Sequence, residues 1–207
     1  MTQKLLTVIV VVLFSLNTWA ADYEEGVHYF ELPIAVGVVP DGKIEVTDYF
    51  SYGCGHCYQF DPILTAWEAT LSEDVEFNRT PAIWNPFYRV LAQTYYTVKA
   101  MGILDEVHLE IFNAIHLQRR NLSDPKAIAN FLAEVGVDPV SFAKVFGSFG
   151  VQASVQQAEA RGRAYRATGV PTLIVNGKYR IEGQAAGGQT GMIKVAEFLI
   201  DKEREMN

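Results

Sequence analysis

The residues best suited to chemistry are two cysteines with two residues between them, in the order Cys54, Gly55, His56 and Cys57. They are the only cysteines in a chain of 207 residues. Zinc half-sites share this spacing, but two cysteines cannot complete a four-cysteine zinc site. Two thiols at this spacing can close a small disulfide ring at the beginning of a helix. The pair therefore predicts thiol–disulfide exchange, and a static structural disulfide is the alternative.

The position of Cys54 predicts that it is the reactive sulfur. A strand predicted over Lys43–Tyr52 leads directly into the motif, and a helix is predicted to follow it. The unpaired N–H groups and positive dipole end of a helix N-terminus lower the pKa of a thiol placed there. Cys57, one turn further, is expected to be more buried and to resolve a mixed disulfide on Cys54. His56 can favour the Cys54 thiolate as a cation or donor, the alternative being an ordinary exposed helix residue.

The elements that must position the motif alternate in type along the chain. After the helix, which Pro62 is expected to break or kink, Val75–Thr80 predicts a second strand in a β-α-β unit. From Asn85 onward apolar residues recur at helical spacing. The later predicted elements are helix starts at Asp124-Pro125 and Asp138-Pro139, a helix over Gln152–Ala167, strands over Thr172–Val175 and Lys178–Ile181 joined at Asn176-Gly177, and a helix over Met192–Arg204. We interpret the helical block as an insertion packed on an α/β part.

Composition and charge narrow the classes of function. The chain is 49% hydrophobic and 20% charged, which excludes a disordered or low-complexity chain and supplies enough apolar material for a core. The formal net charge is −7, and no long run of lysine or arginine suggests a surface for nucleic acid. We expect no nucleic-acid partner, no metal site and no cofactor.

The first 20 residues are predicted to be a signal peptide. Lys4 gives a short positive start, and Leu5–Leu16 is an apolar run broken only by Thr7 and Ser15. Thr18 and Ala20 supply the small residues that signal peptidase requires, so cleavage is expected after Ala20. An uncleaved membrane anchor is the alternative, although the run is short for a membrane span. Export places the cysteine pair in an oxidising compartment.

Three stretches together resemble the DsbA family of periplasmic thiol–disulfide oxidoreductases. They are Asp48–Phe60 (DYFSYGCGHCYQF), Gly169–Thr172 (GVPT) and Val175–Tyr179 (VNGKY). The resemblance implies an α/β thioredoxin fold with an inserted all-helical domain. It also implies a periplasmic monomer that oxidises cysteines of unfolded or newly exported proteins and is reoxidised by a membrane quinone-linked partner of the DsbB type. The corresponding segments are 1–20 (signal peptide), 21–84 (first thioredoxin-like segment), 85–162 (helical domain) and 163–207 (second thioredoxin-like segment).

The same resemblance assigns further site residues. Pro171 corresponds to the family's cis-proline, which packs beside the active-site disulfide, and Val170 before it could pair its backbone with an extended substrate. Asp48 corresponds to an acidic residue beneath the active site that could relay a proton to Cys57, the alternative being a solvated Asp at a strand end. Gly55 departs from the proline of the best-known members, which leaves the strength of oxidation open.

Two alternative functions and two weaker features remain. A disulfide isomerase or reductase would share the motif, and a peptide-binding, chaperone-like module could carry a merely structural disulfide.

His108 and His116 lie eight residues apart near Glu110, but no tight ligand spacing supports a metal site there. Gly183–Gly191 lacks the Gly-Lys-Ser/Thr ending of a phosphate-binding loop, and we interpret it as a flexible loop near the active site.

Overall fold

A computed structural model describes residues 23–37 and 42–206, so the predicted signal peptide lies outside the described residues. The elements in chain order are β1 (Phe30–Glu31), β2 (Ile44–Phe50), α1 (Gly55–Glu68), β3 (Val75–Pro81), α2 (Pro86–Ala100), α3 (Leu104–His116), α4 (Pro125–Glu134), α5 (Pro139–Phe146), α6 (Phe149–Tyr165), β4 (Thr172–Val175), β5 (Tyr179–Glu182) and α7 (Gln189–Met206). In these two ranges no helix has both the length and the apolar character that a membrane span requires.

The strands form one mixed sheet in the order β1-β5-β4-β2-β3. β2 and β3 are parallel, as the β-α-β pattern predicted, and the other neighbours are antiparallel. Asp48 in the centre of β2 lies opposite Arg79 of β3 on one side and Leu173 of β4 on the other. Every residue of β2 is buried, because helices cover both faces of the sheet.

Helices α2–α6 lie between β3 and β4 in the chain, where the inserted helical block was expected. Pro86, Pro125 and Pro139 each occupy the first helical turn, where a missing N–H costs no hydrogen bond. Asn85, Asp124 and Asp138 accept hydrogen bonds as the N-caps of these helices. The caps therefore set where the helices of the block begin.

Three features of the secondary structure differ from expectation. The helix α1 runs through Pro62 without a break, because the second half of the helix is anchored by Leu64 and Trp67 in the core. The helix α6 was predicted over Gln152–Ala167, but it begins at Phe149, because Ser148 caps it, and ends at Tyr165. It therefore crosses residue 162, where the helical domain was expected to end. The two-residue strand β1 was not predicted, since a strand this short has no periodicity to detect.

Two large clusters of buried apolar residues pack around the segment that carries the cysteines. One packs α1 and α7 against the sheet, and its members include Val46, Phe60 and Leu199. The other joins the end of β2 to the helical block and contains Phe50, Tyr52 and Cys57 together with residues of α2–α5. Cys57 thus lies where the helical block meets the thioredoxin-like part.

Candidate active site

The two cysteines lie at the N-terminus of α1, as the sequence predicted. Cys54 is the N-cap in an extended conformation, and its side chain makes no capping hydrogen bond, so its sulfur is available for chemistry. Cys57 lies in the first turn and is only 3% exposed, whereas Cys54 is half-buried. Both are free thiols here. The expected order of burial is confirmed.

The surroundings separate the acidities of the two thiols. A hydrogen bond from the Cys57 thiol, the backbone N–H groups of Cys57 and His56 and the charge of His56 together lower the pKa of Cys54 from 9.0 to about 6, against an opposing effect of burial. Burial raises the pKa of Cys57 well above its ordinary value, and the hydrogen bond to Cys54 raises it further. At neutral pH Cys54 is therefore mainly a thiolate, while Cys57 keeps its proton.

A cis peptide bond joins Val170 and Pro171 beside Cys54. In its thiol form Cys54 donates a hydrogen bond from Sγ to the Val170 carbonyl at 3.4 Å. The thiolate cannot make this bond, so deprotonation of Cys54 leaves that carbonyl free of it. The Val170–Pro171 segment, the exposed face of His56 and the loop before α7 enclose an open groove of about 730 Å³.

The loop Gly183–Gly191 touches the active-site helix. The Nε2 amide of Gln189 donates a hydrogen bond of 2.8 Å to the His56 carbonyl. Gly187 and Gly188 both have positive φ, which explains glycine at these two positions. The expected location near the active site is confirmed, and the last residues of the segment form the first turn of α7.

Asp48 lies under the cysteine pair and is 3% exposed, so a solvated Asp at a strand end is wrong. Its Oδ1 atom is buried without a hydrogen-bond partner in the described part of the chain. Burial raises the pKa of Asp48 to about 7, although the nearby Arg79 guanidinium lowers it; the charges of Asp61 and Cys54 act in the same direction as burial. A carboxyl group with this pKa can hold or release a proton at neutral pH.

Arg79 and Asp61 are functional candidates that sequence reasoning missed. The Arg79 guanidinium lies 3.6 Å from Asp61 and 3.2 Å from Glu68, and it faces Asp48 across the parallel strand pair. Asp61 follows Cys57 by four residues, so its place on the same face of α1 was available from the sequence. Arg79 was not, because only the register of β2 and β3 brings it beside Asp48.

Phe87 at the start of α2 was missed as well. It is 37% exposed and packs so closely on Gly53, the residue before Cys54, that a Cβ there would lie 2.9 Å from the ring. The aromatic residues Tyr49, Phe50, Tyr52 and Phe60, which are near the cysteines in the sequence, are buried in the core. The apolar surface beside Cys54 therefore includes a side chain from the helical block.

His108 and His116 do not share a site. Among residues 23–37 and 42–206 no three His, Cys, Asp or Glu side chains are grouped as metal ligands. His116 Nε2 donates to the Tyr52 carbonyl at 2.8 Å, and its ring stacks on Tyr58. His108 is buried and hydrogen bonds to Tyr52 and Asp61.

Comparison with known proteins decides the family. Residues 70–197 match the family model described as a DSBA-like thioredoxin domain. The chain is 44% identical over 197 residues to the thiol:disulfide interchange protein DsbA of Azotobacter vinelandii, covering 93% of this chain and 92% of that protein. The chain belongs to the DsbA family. The protein of the same name from Pseudomonas aeruginosa is 42% identical, with coverage of 93% and 91%.

Solved DsbA structures share the fold. The crystal structure of Pseudomonas aeruginosa DsbA superposes with a TM-score of 0.87 at 42% identity, over 90% of this chain and 97% of that chain. The oxidoreductase DsbA from Xylella fastidiosa gives a TM-score of 0.81 at 32% identity, over 86% and 96%. The expected thioredoxin fold with added helices is confirmed. Like its DsbA relatives, this protein is a thiol–disulfide oxidoreductase.

Proposed function

We propose that this protein oxidises pairs of thiols in newly exported proteins through Cys54. A substrate thiolate attacks Sγ of Cys54 in the Cys54–Cys57 disulfide, and Cys57 leaves as a thiolate. The second substrate thiolate then attacks the substrate sulfur of this mixed disulfide, and Cys54 leaves. The substrate gains one disulfide, and two electrons reduce the cysteine pair. The observation that carries this proposal is the separation in pKa between the half-buried Cys54 and the buried Cys57.

We assign Asp48 as the proton donor to Cys57. Cys57 is buried, so its thiolate would be a charge in an apolar setting unless it gains a proton at once. Asp48 is buried and acts electrostatically on Cys57. Because its pKa is raised to about 7, Asp48 holds a proton below neutral pH. Cys57 can take that proton as it leaves, and Asp48 regains one from solvent.

We assign the groove beside Pro171 to the substrate chain. The Val170 carbonyl faces Cys54 and can accept a hydrogen bond from an extended peptide. Pro171 has no N–H to donate, so recognition at this position relies on the backbone of Val170. His56 lines the same groove, and both His56 and Gly55 are exposed, so they can meet the incoming thiol.

The proposal also includes a cellular location, a class of substrates and a partner that restores the disulfide. The predicted signal peptide supports a location in the periplasm, where disulfides form and persist. Its substrates are unfolded or newly exported proteins that contain cysteines, and it acts as a monomer. A membrane quinone-linked oxidase of the DsbB type would restore the disulfide. The family membership of the chain supports this setting.

The redox equilibrium with glutathione tests this function. We expect the Cys54–Cys57 pair to be at least as oxidising as the glutathione pool, because a stabilised thiolate favours the reduced form. The control is a Cys54→Ser variant, which cannot form the intramolecular disulfide. A strongly reducing equilibrium would contradict the oxidase assignment and favour a reductase or a structural disulfide.

A further inference from the structure

His108 is a buried histidine that joins the helical block to the thioredoxin-like part. It lies on α3 and is 9% exposed. Its Nδ1 atom is 2.7 Å from the hydroxyl of Tyr52, which follows β2. Its Nε2 atom is 3.0 Å from Oδ1 of Asp61 on α1. One imidazole thus connects three parts of the chain beneath the active site.

The two contacts determine the tautomer of the ring. Burial raises the pKa of Tyr52 well above its ordinary value, so its hydroxyl remains protonated. When this hydroxyl donates to Nδ1, the proton of the neutral ring lies on Nε2. Nε2 then donates to the Asp61 carboxylate, so every polar atom in the chain of contacts has a partner.

The charge of Arg79 acts on both Asp61 and Asp48, and Arg79 lies opposite Asp48 in the register of β2 and β3. The Arg79 guanidinium lies 3.6 Å from Asp61, and Nη1 of Arg79 donates to Glu68 at 3.2 Å. The charge of Arg79 lowers the pKa of Asp48, whereas that of Asp61 raises it. In the described part of the chain, the His108 ring supplies the one hydrogen bond that the Asp61 carboxylate accepts. Without it Asp61 would depend on Arg79 alone.

We propose that His108 is a positioning residue that satisfies Asp61 and thereby leaves the charge of Arg79 shared with Asp48. This inference rests on the role of Asp48 proposed above. Loss of the imidazole should draw Arg79 towards Asp61 and away from Asp48. The charged and titratable groups that act on Asp48 are Arg79 from β3, Cys54 at the N-cap of α1, Cys57, Asp61 and Glu68 from α1, and Tyr95 from α2.

The test compares His108→Leu with His108→Gln. Leucine removes both hydrogen bonds but fills the volume, which matters because His108, Asp61 and Arg79 line a groove of about 780 Å³ that water could enter. The amide of glutamine can donate to Asp61 and accept from Tyr52. His116→Leu is the matched control, since it lies on the same helix and contacts Tyr52 but not Asp61.

The measurement is the carboxyl ¹³C shift of Asp48 in the reduced protein as a function of pH, with the resonance assigned from Asp48→Asn. We expect the titration midpoint to rise by about half a pH unit or more in His108→Leu, which is about a threefold fall in the ratio of ionised to protonated Asp48 at a given pH. His108→Gln and His116→Leu should titrate like the original protein. An unchanged or lowered midpoint in His108→Leu, or an equal rise in His108→Gln, would overturn the proposal.

A second measurement needs no substitution and holds even if His108→Leu does not fold. Ring ¹⁵N shifts of the unaltered protein should show that the neutral His108 ring carries its proton on Nε2 and none on Nδ1. The opposite tautomer would refute the hydrogen-bond chain. Peptide oxidation by Asp48→Asn separates the two proposals. A normal rate and pH profile in this variant would refute the role of Asp48. An altered profile, together with an unchanged Asp48 titration in His108→Leu, would refute only the role of His108.

Discussion

The stability of the reduced protein should rise with pH relative to that of the oxidised protein. Reduction creates a Cys54 thiol whose pKa falls from 9.0 to about 6 in the folded protein. The lowered pKa of Cys54 contributes its full stabilisation of the folded state above pH 9. This contribution is lost as the pH falls through 6. The oxidised protein has no such thiol. The difference in unfolding free energy, reduced minus oxidised, therefore increases between pH 5 and pH 8.

The size of this increase follows from the two pKa values. Between pH 5 and pH 8 a change from 9.0 to about 6 corresponds to about 2.6 kcal/mol. Cys54 is half-buried, so solvent screening reduces this value, and we expect about 1.3 kcal/mol. Closure of the disulfide ring changes the unfolding free energy of the oxidised form by an amount that does not depend on pH. It therefore does not affect how the difference between the two forms varies with pH. Above pH 8 the raised pKa of Cys57 would begin to oppose the effect.

Paired urea melts of both redox forms at pH 5, 6, 7 and 8 measure this trend. The same series in an Asp48→Asn background removes the coupling between Asp48 and the Cys54 thiolate, because the amide does not titrate. The increase should persist in that background. A difference that stays flat or falls with pH would refute the thiolate stabilisation on which the redox argument depends.

Four further outcomes are expected. Absorbance near 240 nm in a Cys57→Ser variant should show Cys54 titrating well below the ~8.5 of a free cysteine, and an ordinary value would contradict the site's electrostatics. His56→Leu should raise that pKa and make the pair less oxidising, whereas an unchanged glutathione equilibrium would assign the effect to the other donors alone. Asp48→Asn should slow peptide oxidation below pH 7 roughly tenfold or more, while Glu45→Gln, a buried carboxylate of the same strand, should not. Pro171→Thr adds a backbone N–H beside the substrate groove, so mixed disulfides should accumulate; equal trapping by both proteins would argue against its role.

Local signals were sufficient to predict the elements that carry the cysteines. The strand before Cys54 and the Asn176-Gly177 hairpin were predicted because alternation and turn chemistry are properties of a few adjacent residues. The caps at Asp124 and Asp138 are equally local. Helix α1 continued through Pro62 because packing in the core outweighs one missing hydrogen bond, which no local pattern reveals.

The charges beneath the cysteines show what local signals cannot supply. Asp48 was predicted as a site residue, but its partner Arg79 lies 31 positions later and meets it only through the register of two parallel strands. His108 looked like a weak metal ligand, and its contacts with Tyr52 and Asp61 arise from the docking of the helical block on α1. Pairings between distant segments depend on tertiary packing, so composition and periodicity do not contain them.

Trapping of the reaction intermediate tests the central claim most directly. A Cys57→Ser variant that carries a disulfide between Cys54 and a cysteine peptide should be isolable, with mass spectrometry placing the peptide on Cys54. The oxidised, unaltered protein should convert one equivalent of a dithiol peptide to its disulfide and end with both cysteines reduced. If Cys54→Ser forms the mixed disulfide through Cys57 equally well, or if the oxidised protein leaves the dithiol peptide reduced, the account is wrong.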